Sequence, residues 1–214
     1  MNIALIGATG FVGSAILPEL LSRGHRITAL ARTPSKIKPH AALTVVQADV
    51  LDPAQVASAV AGHDAVISAY NPGWSEPDIH DLHLRASDAI VEGVKTAGVK
   101  RLLAVGGAGS LYVAPGLQLV DTPQFPPAYK QGALAAREAL NRLQRETRLD
   151  WSFVSPPIAL APGARTGEYR TGTNELLTGQ GDQPAGISVA DLAVAIVDEI
   201  EHPQHVQKRF TVAH

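Results

Sequence analysis

Three glycines near the start of the chain have the spacing of a phosphate-binding turn. Gly7, Gly10 and Gly13 follow the apolar stretch IALI at residues 3–6 and precede a run with helical periodicity. Gly7 can make the tight turn out of a strand, Gly10 lets the backbone approach a phosphate, and Gly13 lets a helix pack closely on a sheet. The helix N-terminus then offers free N–H groups and a positive dipole end to a pyrophosphate. This GxxGxxG turn therefore predicts a dinucleotide site, with a purely structural turn as the alternative. We expect its contacts to come from Gly7, Thr9, Gly10, Phe11, Val12 and Gly13.

One arginine bears on which dinucleotide binds. The second predicted strand, residues 26–31, is followed directly by Arg32. A site for NAD(H) usually carries Asp or Glu at this place, which accepts a hydrogen bond from the ribose 2′-hydroxyl. A guanidinium group instead pairs with a 2′-phosphate. Arg32 therefore predicts NADP(H) in preference to NAD(H), and an exposed loop arginine is the alternative.

The elements that must position these residues alternate between strands and helices. Short apolar runs predict strands at 3–6, 26–31, 43–47, 65–68, 101–105, 151–155 and 210–212. Helical spacing predicts helices at 11–22, 53–60, 78–97, 132–146 and between Ser188 and Pro203. The first helix contains Pro18 and is expected to bend there. Ser188 and Asp191 form a capping pair at the start of the last helix. Such alternation predicts a Rossmann-like, doubly wound parallel sheet in a three-layer α/β/α fold.

The length of the chain, 214 residues, favours one NAD(P)-binding domain over residues 1–214. Two stretches rich in proline and glycine, residues 111–127 and 156–186, are too long for ordinary connections. Both follow predicted strand ends, where open α/β sheets bind their ligands. We therefore expect these two loops to form a small substrate region.

Composition excludes several classes of protein. The net charge of −2 lacks the basic excess of a nucleic-acid binder, and the absence of cysteine removes disulfides, thiolate nucleophiles and Cys-ligated metals. Apolar runs are broken well before the ~20 residues that a membrane span needs. We expect a cytoplasmic monomer or homodimer that acts on a small molecule and binds neither nucleic acid nor membrane. His80, Asp81 and His83 lack the third ligand of a metal motif, so no metal site is predicted.

Several segments resemble one superfamily along almost the whole chain. GATGFVG at 7–13 resembles the extended and atypical branches of the short-chain dehydrogenase/reductase superfamily. RLLAVGGAGSL at 101–111, GARTGEYR at 163–170 and ISVADLAVAIVDEIEHP at 187–203 are similar to bacterial proteins named NADH-flavin reductases. That group lies near the NmrA-like and biliverdin-reductase-B-like proteins. The resemblance implies a Rossmann fold and a nicotinamide cofactor.

The resemblance also implies roles for residues at the strand ends. It implies that Asp49 and Val50 hold the adenine, and for Asp49 a carboxylate that caps the helix before Pro53 is the alternative. It implies that Ala69 and Tyr70 contact the nicotinamide-side ribose. It implies further that Gly106, Gly107 and Pro156 border the nicotinamide.

Most members of this superfamily use a Tyr-x-x-x-Lys pair, in which the lysine lowers the pKa of the tyrosine. Tyr129 stands at the corresponding helix entrance, but the residue four positions later is Ala133. Lys130 lies about 100° around the helix from Tyr129 rather than one turn above it. Ser110 lies near the place of a substrate-orienting serine. Ser110 and Tyr129 are therefore candidate catalytic residues, and a loop hydroxyl and a packing aromatic ring are equally good interpretations.

The missing lysine bears on the reaction. Reduction of a carbonyl leaves an alkoxide that needs a proton, whereas a flavin or quinone takes a hydride into a delocalised system and its proton from water. The leading hypothesis is an NADP(H)-dependent oxidoreductase with a flavin, a quinone or a similar conjugated acceptor as substrate. A redox-sensing regulator that binds NAD(P) without turnover, as in NmrA-like proteins, is the alternative. A sugar-nucleotide epimerase or dehydratase is less favoured, since the catalytic pair is incomplete and only about 60 residues follow the sixth predicted strand.

Overall fold

An eight-stranded sheet forms the centre of the computed structural model, which describes residues 1–179 and 183–214. The strands of the structure, in chain order, are β1 (Asn2–Ile6), β2 (Arg26–Ala31), β3 (Leu43–Gln47), β4 (Ala65–Ser68), β5 (Arg101–Val105), β6 (Tyr112–Ala114), β7 (Leu117–Gln118), β8 (Asp150–Ser155), β9 (Ala159–Ala161), β10 (Arg170–Gly172), β11 (Gly186–Ser188) and β12 (Lys208–Ala213). The main sheet has the order β10-β12-β8-β5-β4-β1-β2-β3. All its neighbours pair in parallel except β10, which is antiparallel to β12. The winding reverses between β1 and β4, which makes their carboxyl ends the switch point where such sheets bind ligands.

Helices cover both faces of this sheet. They are α1 (Gly13–Ser22), α2 (Pro53–Val60), α3 (Ile79–Thr96), α4 (Pro127–Leu143) and α5 (Val189–Glu201). Helices α1 and α5 pack together on one face, and α2, α3 and α4 pack in a row on the other. The side chains of β1 alternate between the two layers: Ile3 and Leu5 join the cluster under α1 and α5, whereas Ala4 and Ile6 join the opposite cluster. The predicted three-layer Rossmann fold is confirmed.

Side chains cap the first turns of α5 and α2. Ser188 accepts a hydrogen bond from the backbone N of Asp191 (2.9 Å), as the sequence predicts for α5. At α2 the cap is Asp52, whose carboxylate accepts from the N–H groups of the first turn. The alternative interpretation of Asp49 as that cap is therefore wrong. The Asp49 carboxylate accepts instead from the backbone N of Leu51 (3.0 Å) and so stabilises the turn after β3.

Apart from those of α4, the predicted boundaries of strands and helices lie within two residues of the observed ones. Helix α4 begins at Pro127 rather than residue 132 and ends at Leu143 rather than residue 146. The first five residues of α4 are all exposed, so they carry no apolar periodicity to signal a helix. Proline at the first position starts the helix instead. Helix α1 runs through Pro18, and the bend there stays a prediction.

Both long loops contain short strands. In residues 111–127, β6 and β7 form a hairpin. In residues 156–186, β9 pairs in parallel with β11, and β10 adds to the edge of the main sheet. Residues 180–182 of the second loop lie outside the described residues. Strands of two or three residues are too short to show a periodicity, which is why the sequence did not predict them. No helix in the described ranges is both long enough and apolar enough to cross a membrane.

Candidate active site

The glycine turn joins β1 to α1 at the switch point of the sheet. Gly7 has φ +85°, and a Cβ on it would lie 2.5 Å from the carbonyl oxygen of Ala69 at the end of β4. A Cβ on Gly13 would lie 2.0 Å from the carbonyl oxygen of Gly7. Both distances are far below a van der Waals contact, so only glycine lets the turn pass this close to β4 and to the first turn of α1. Gly10 is exposed, and its backbone N donates to the Gly7 oxygen (3.0 Å), which closes the turn.

The N-terminus of α1 is open to an anion. Val12 occupies the N-cap position and has no side-chain acceptor, and the Ser14 hydroxyl donates to the Phe11 carbonyl (3.1 Å) rather than capping the helix. Within residues 1–179 and 183–214, no group accepts a hydrogen bond from the backbone N of Phe11, Val12 or Gly13. The first turn of α1 contains no acidic residue. Free N–H groups at a helix start, without a nearby carboxylate, are the arrangement that binds phosphate.

Arg32, Asp49 and Tyr70 lie near one another beyond the ends of β2, β3 and β4. Arg32 is exposed, and its side chain makes no ion pair with any described residue. Burial raises the pKa of the Tyr70 phenol, an effect that Arg32 opposes and Asp49 reinforces. Val50, directly after Asp49, is buried. The structure thus places Arg32 and Asp49, predicted for the adenosine end of a dinucleotide, near Tyr70, predicted for the nicotinamide-side ribose. These roles stay predictions.

The backbone at the ends of β4, β5 and β8 is closely packed. The backbone N of Ala69 donates to Ile6 (2.9 Å), and that of Gly106 donates to Val154 (2.8 Å). A Cβ on Gly106 would lie 2.1 Å from Cζ of Phe153, whereas a Cβ on Gly107 would meet no atom within 4 Å. Gly106 therefore serves packing, and Gly107 faces open space at the edge of the sheet.

A buried hydroxyl that sequence reasoning missed lies beside these residues. Ser155 ends β8 just before the buried Pro156, is fully buried, and its Oγ has no hydrogen-bond partner within the described residues. A buried polar group without a partner is unusual and calls for an explanation, such as a ligand. The only signal in the sequence was a serine at the end of an apolar strand before two prolines.

Ser110 is directed into the protein rather than to the sheet edge. It is buried, and both its hydroxyl and its carbonyl oxygen accept from the Arg209 guanidinium (3.1 Å each). The same guanidinium donates to Oδ1 of Asn174 (2.8 Å). Ser110 thereby ties the turn after β5 to β12. Its catalytic role stays a prediction, against which this engaged hydroxyl weighs.

Tyr129 lies in the first turn of α4 and is half exposed. Its ring packs edge-to-face against Trp74, with 5.0 Å between the ring centroids and an interplanar angle of 79°. One turn later, Ala133 is buried, and a Cβ on Gly109 would lie only 2.9 Å from the Ala133 Cβ. The packing at this position leaves no space for a lysine side chain. A Tyr-x-x-x-Lys pair is therefore not formed at Tyr129.

The histidines of α3 face different surroundings. His83 is buried, its ring centroid lies 6.4 Å from that of Tyr70, and burial lowers its pKa to about 4. His80 contacts the Asp81 carboxylate at 3.1 Å on the exposed side. In the part of the chain that the structure describes, no three potential metal ligands come together.

The second long loop is tied down by one buried carboxylate. Asp191 is fully buried in the first turn of α5 and accepts from the backbone N of Thr166 (2.8 Å) and of Gly167 (2.7 Å). It also contacts the Ser188 hydroxyl and Nε2 of His214 (2.9 Å). Burial alone would raise its pKa, but these hydrogen bonds outweigh it and lower the pKa to about 2. The segment held in this way borders a groove of about 940 Å³.

Comparison with known sequences places the chain among nucleotide-binding proteins. The model of a family described as NAD(P)H-binding matches residues 7–203. The Bacillus subtilis protein named "Uncharacterized protein YwnB" is 40% identical over 216 residues, which cover 99% of this chain and 98% of that protein.

Solved structures that are similar over the full length of the chain include the following two. A protein from Bacteroides thetaiotaomicron, named a "putative epimerase", is 46% identical with a TM-score of 0.93, covering 100% of this chain and 96% of that one. A protein from Streptococcus pneumoniae, named a "putative NADH-flavin reductase", is 32% identical with a TM-score of 0.85, covering 100% and 99%. The names of these relatives differ in the reaction they describe, whereas the fold is shared.

Proposed function

The chain belongs to this NAD(P)H-binding family, within the short-chain dehydrogenase/reductase superfamily, and we propose that it is an NADP(H)-dependent oxidoreductase. Its substrate in this proposal is a flavin, a quinone or a comparable conjugated acceptor. The acceptor gains a hydride together with one proton from water, with oxidation of NADPH to NADP⁺.

The residues at the switch point fit a dinucleotide. Gly7 and Gly13 let the turn pack closely against β4 and the start of α1, and the N–H groups of Phe11, Val12 and Gly13 suit the pyrophosphate. At the other end of the same edge, the unpartnered Oγ of Ser155 suits a polar group such as the carboxamide of a nicotinamide. When bound, the nicotinamide supplies the hydride. The task of the protein is then to hold the two flat rings face to face.

The observation that carries the proposed reaction is the absence of a proton-donating pair at Tyr129. Ala133 occupies the place of the lysine and is buried against Gly109, and the Ser110 hydroxyl is engaged by Arg209. A carbonyl substrate would therefore lack a positioned acid for its alkoxide. A conjugated acceptor needs no such acid, because its negative charge is delocalised over the ring system.

Arg32 supports the preference for NADP(H). Its guanidinium is exposed at the end of β2, and the described residues offer it no carboxylate in an ion pair, so it is available to a 2′-phosphate. Arg26, at the opposite end of the same strand, is also exposed and provides a matched control.

The test begins with titrations of the purified protein with NADPH and NADH, followed by absorbance assays with riboflavin, FMN and small quinones at saturating cofactor. Arg32→Gln should weaken NADPH binding about tenfold or more while it changes NADH binding little, and Arg26→Gln should change neither. Equal effects of Arg32→Gln on both cofactors would contradict the phosphate role. Tight binding of NADPH without turnover of any acceptor would contradict the reductase and indicate a protein that binds the dinucleotide as a ligand.

A further inference from the structure

An exposed tryptophan lies beside the proposed hydride-transfer region. Trp74 follows β4 by six residues and is 55% exposed, whereas Trp151, the other tryptophan of the chain, is 2% exposed. A large apolar ring in water costs free energy, and aromatic side chains in contact with solvent are enriched where proteins bind partners or ligands. Trp74 therefore needs a physical explanation beyond the packing of the fold.

The local backbone is built to present this ring. Gly73 has φ +115°, a conformation that favours glycine, and its backbone N donates to Oδ1 of Asn71 (2.8 Å). The resulting turn fixes the chain immediately before Trp74. The glycine at position 73 and the Asn71 side chain thus specify the conformation of this segment.

Residues of α4 and α3 contact the Trp74 indole on its buried side. A Cβ on Gly132 would lie 2.7 Å from Cζ3 of Trp74, and the Tyr129 ring meets the indole edge-to-face at 5.0 Å. The first residue of α3, Ile79, approaches the same glycine. Trp74 is therefore seated on the start of α4 and beside the start of α3, while more than half of its surface stays free.

Trp74 lies near the strand ends at which we propose the cofactor binds. Trp74 leaves the sheet from β4, four residues after Tyr70, and Tyr129 and Gly132 belong to the helix that also packs on Gly109 after β5. Ile158, three residues beyond the end of β8, is another large apolar side chain exposed after a strand end of this edge. The free apolar surface therefore borders the ends of the strands to which the nicotinamide end is assigned.

We propose that Trp74, supported by Tyr129, is the stacking platform for the hydride acceptor and selects planar, conjugated rings. The site would take the isoalloxazine of a flavin or the fused rings of a naphthoquinone against the indole. This inference rests on the proposed reductase function and adds the residue that determines the acceptor class. A flat ring fits because the indole is held by Gly132 and the Tyr129 ring while more than half of its surface stays exposed.

Tryptophan fluorescence tests the platform without any turnover. Contact quenching requires the acceptor to touch the indole, so in the buried Trp151 only energy transfer can act. In the presence of NADP⁺, a small naphthoquinone and riboflavin should each quench the wild-type emission in a saturable manner, with free tryptophan as the control for absorbance. Trp74→Phe, which keeps a ring on Gly132, should lower the saturable quenching to the part that energy transfer from Trp151 contributes.

Kinetics give the second readout. Trp74→Leu should raise the KM for both acceptors about threefold to tenfold, the range of one aromatic stacking pair, and should leave the affinity for NADPH and the circular dichroism spectrum unchanged. Trp74→Phe should retain most of the acceptor affinity. Val206→Ala alters an exposed apolar side chain in the loop before β12, away from this edge, and should change no parameter.

The outcomes separate this inference from the proposed function. Turnover with an unchanged KM in Trp74→Leu and no saturable quenching in the wild type would overturn the platform and leave the reductase standing. Saturable quenching without turnover would overturn the reductase and leave the platform as an acceptor-binding surface. A change of oligomeric mass in Trp74→Leu, with acceptor affinity unaltered, would overturn the platform in favour of a contact between copies of the chain.

Discussion

The Asp191 carboxylate makes a pH-dependent contribution to the free energy of unfolding, and Asp191→Asn should remove it. Asp191 is fully buried and accepts hydrogen bonds from the backbone N of Gly167 and the hydroxyl of Thr166, which contribute to lowering its pKa from 3.8 to about 2. Because the pKa is lower in the folded state, the carboxylate stabilises the fold fully above pH 3.8. This contribution is lost as the pH falls from 3.8 towards 2.

The size of the effect follows from those two pKa values. Their difference corresponds to roughly 2.4 kcal/mol at neutral pH, at ~1.36 kcal/mol per pKa unit. The same linkage relation leaves about 1.3 kcal/mol at pH 3 and about 0.4 kcal/mol at pH 2. Asparagine has nearly the same shape and keeps one acceptor oxygen, so its own contribution should not vary with pH in this range.

Urea unfolding of the wild type and of Asp191→Asn at pH 6 and at pH 3 measures this contribution. The difference between the two proteins should shrink by about 1 kcal/mol between these pH values, whatever constant offset the amide introduces. Asp81→Asn is the control, since that side chain is 83% exposed. A difference that is the same at both pH values would refute the reasoning, and with it the view that Asp191 holds the Thr166–Gly167 segment as a carboxylate.

Two further substitutions test other buried contacts. Glu199→Gln should lower the free energy of unfolding by about 3–5 kcal/mol. The reason is that Glu199 is buried and pairs at 2.9 Å with the buried Arg101, which would lose its counter-charge. Urea unfolding measures this loss, and a loss below about 1 kcal/mol would contradict the role of the buried pair. Ser110→Ala should lower stability by about 1–3 kcal/mol and leave kcat for a conjugated acceptor within about threefold, because the hydroxyl is engaged by Arg209. A large fall in kcat at unchanged stability would instead establish Ser110 as catalytic.

An exposed ion pair gives the control for the first of these. Glu92 is 56% exposed and contacts Lys95 at 3.0 Å. Glu92→Gln should cost at most ~1 kcal/mol, since solvent screens an exposed pair.

The regular elements were predictable because their signals are local. The strands of the main sheet that are apolar on both faces, such as Ile3 to Ile6, and the amphipathic helix after Ser188 show their periodicity and capping in a few consecutive residues. The start of α4 was not predictable in this way, because its exposed first turn carries no apolar pattern. The same holds for β6, β7 and β9, which are too short to have one.

The residues of the candidate site likewise divide into those with a local signal in the sequence and those defined by distant neighbours. The glycine turn and Arg32 could be identified from spacing alone, since both depend on a strand, a turn and a helix that are adjacent in the chain. Ser155 and Trp74 could not, because an unpartnered hydroxyl and a seated indole are defined by neighbours distant in sequence. The interpretation of Asp49 as a helix cap failed for a local reason, since Asp52 competes for the same N–H groups and lies closer to them.

The amino-acid sequence by itself determined the Rossmann architecture, the glycine turn and the family, because periodicity, turn chemistry and short motifs are properties of neighbouring residues. Only the tertiary structure decided which polar groups are engaged and which are free. It places the Ser110 hydroxyl on Arg209, 99 residues away, and the Asp191 carboxylate on a loop 24 to 25 residues away. Such pairings depend on how the layers pack, and it is packing that leaves Trp74 exposed at the edge where we propose the acceptor binds.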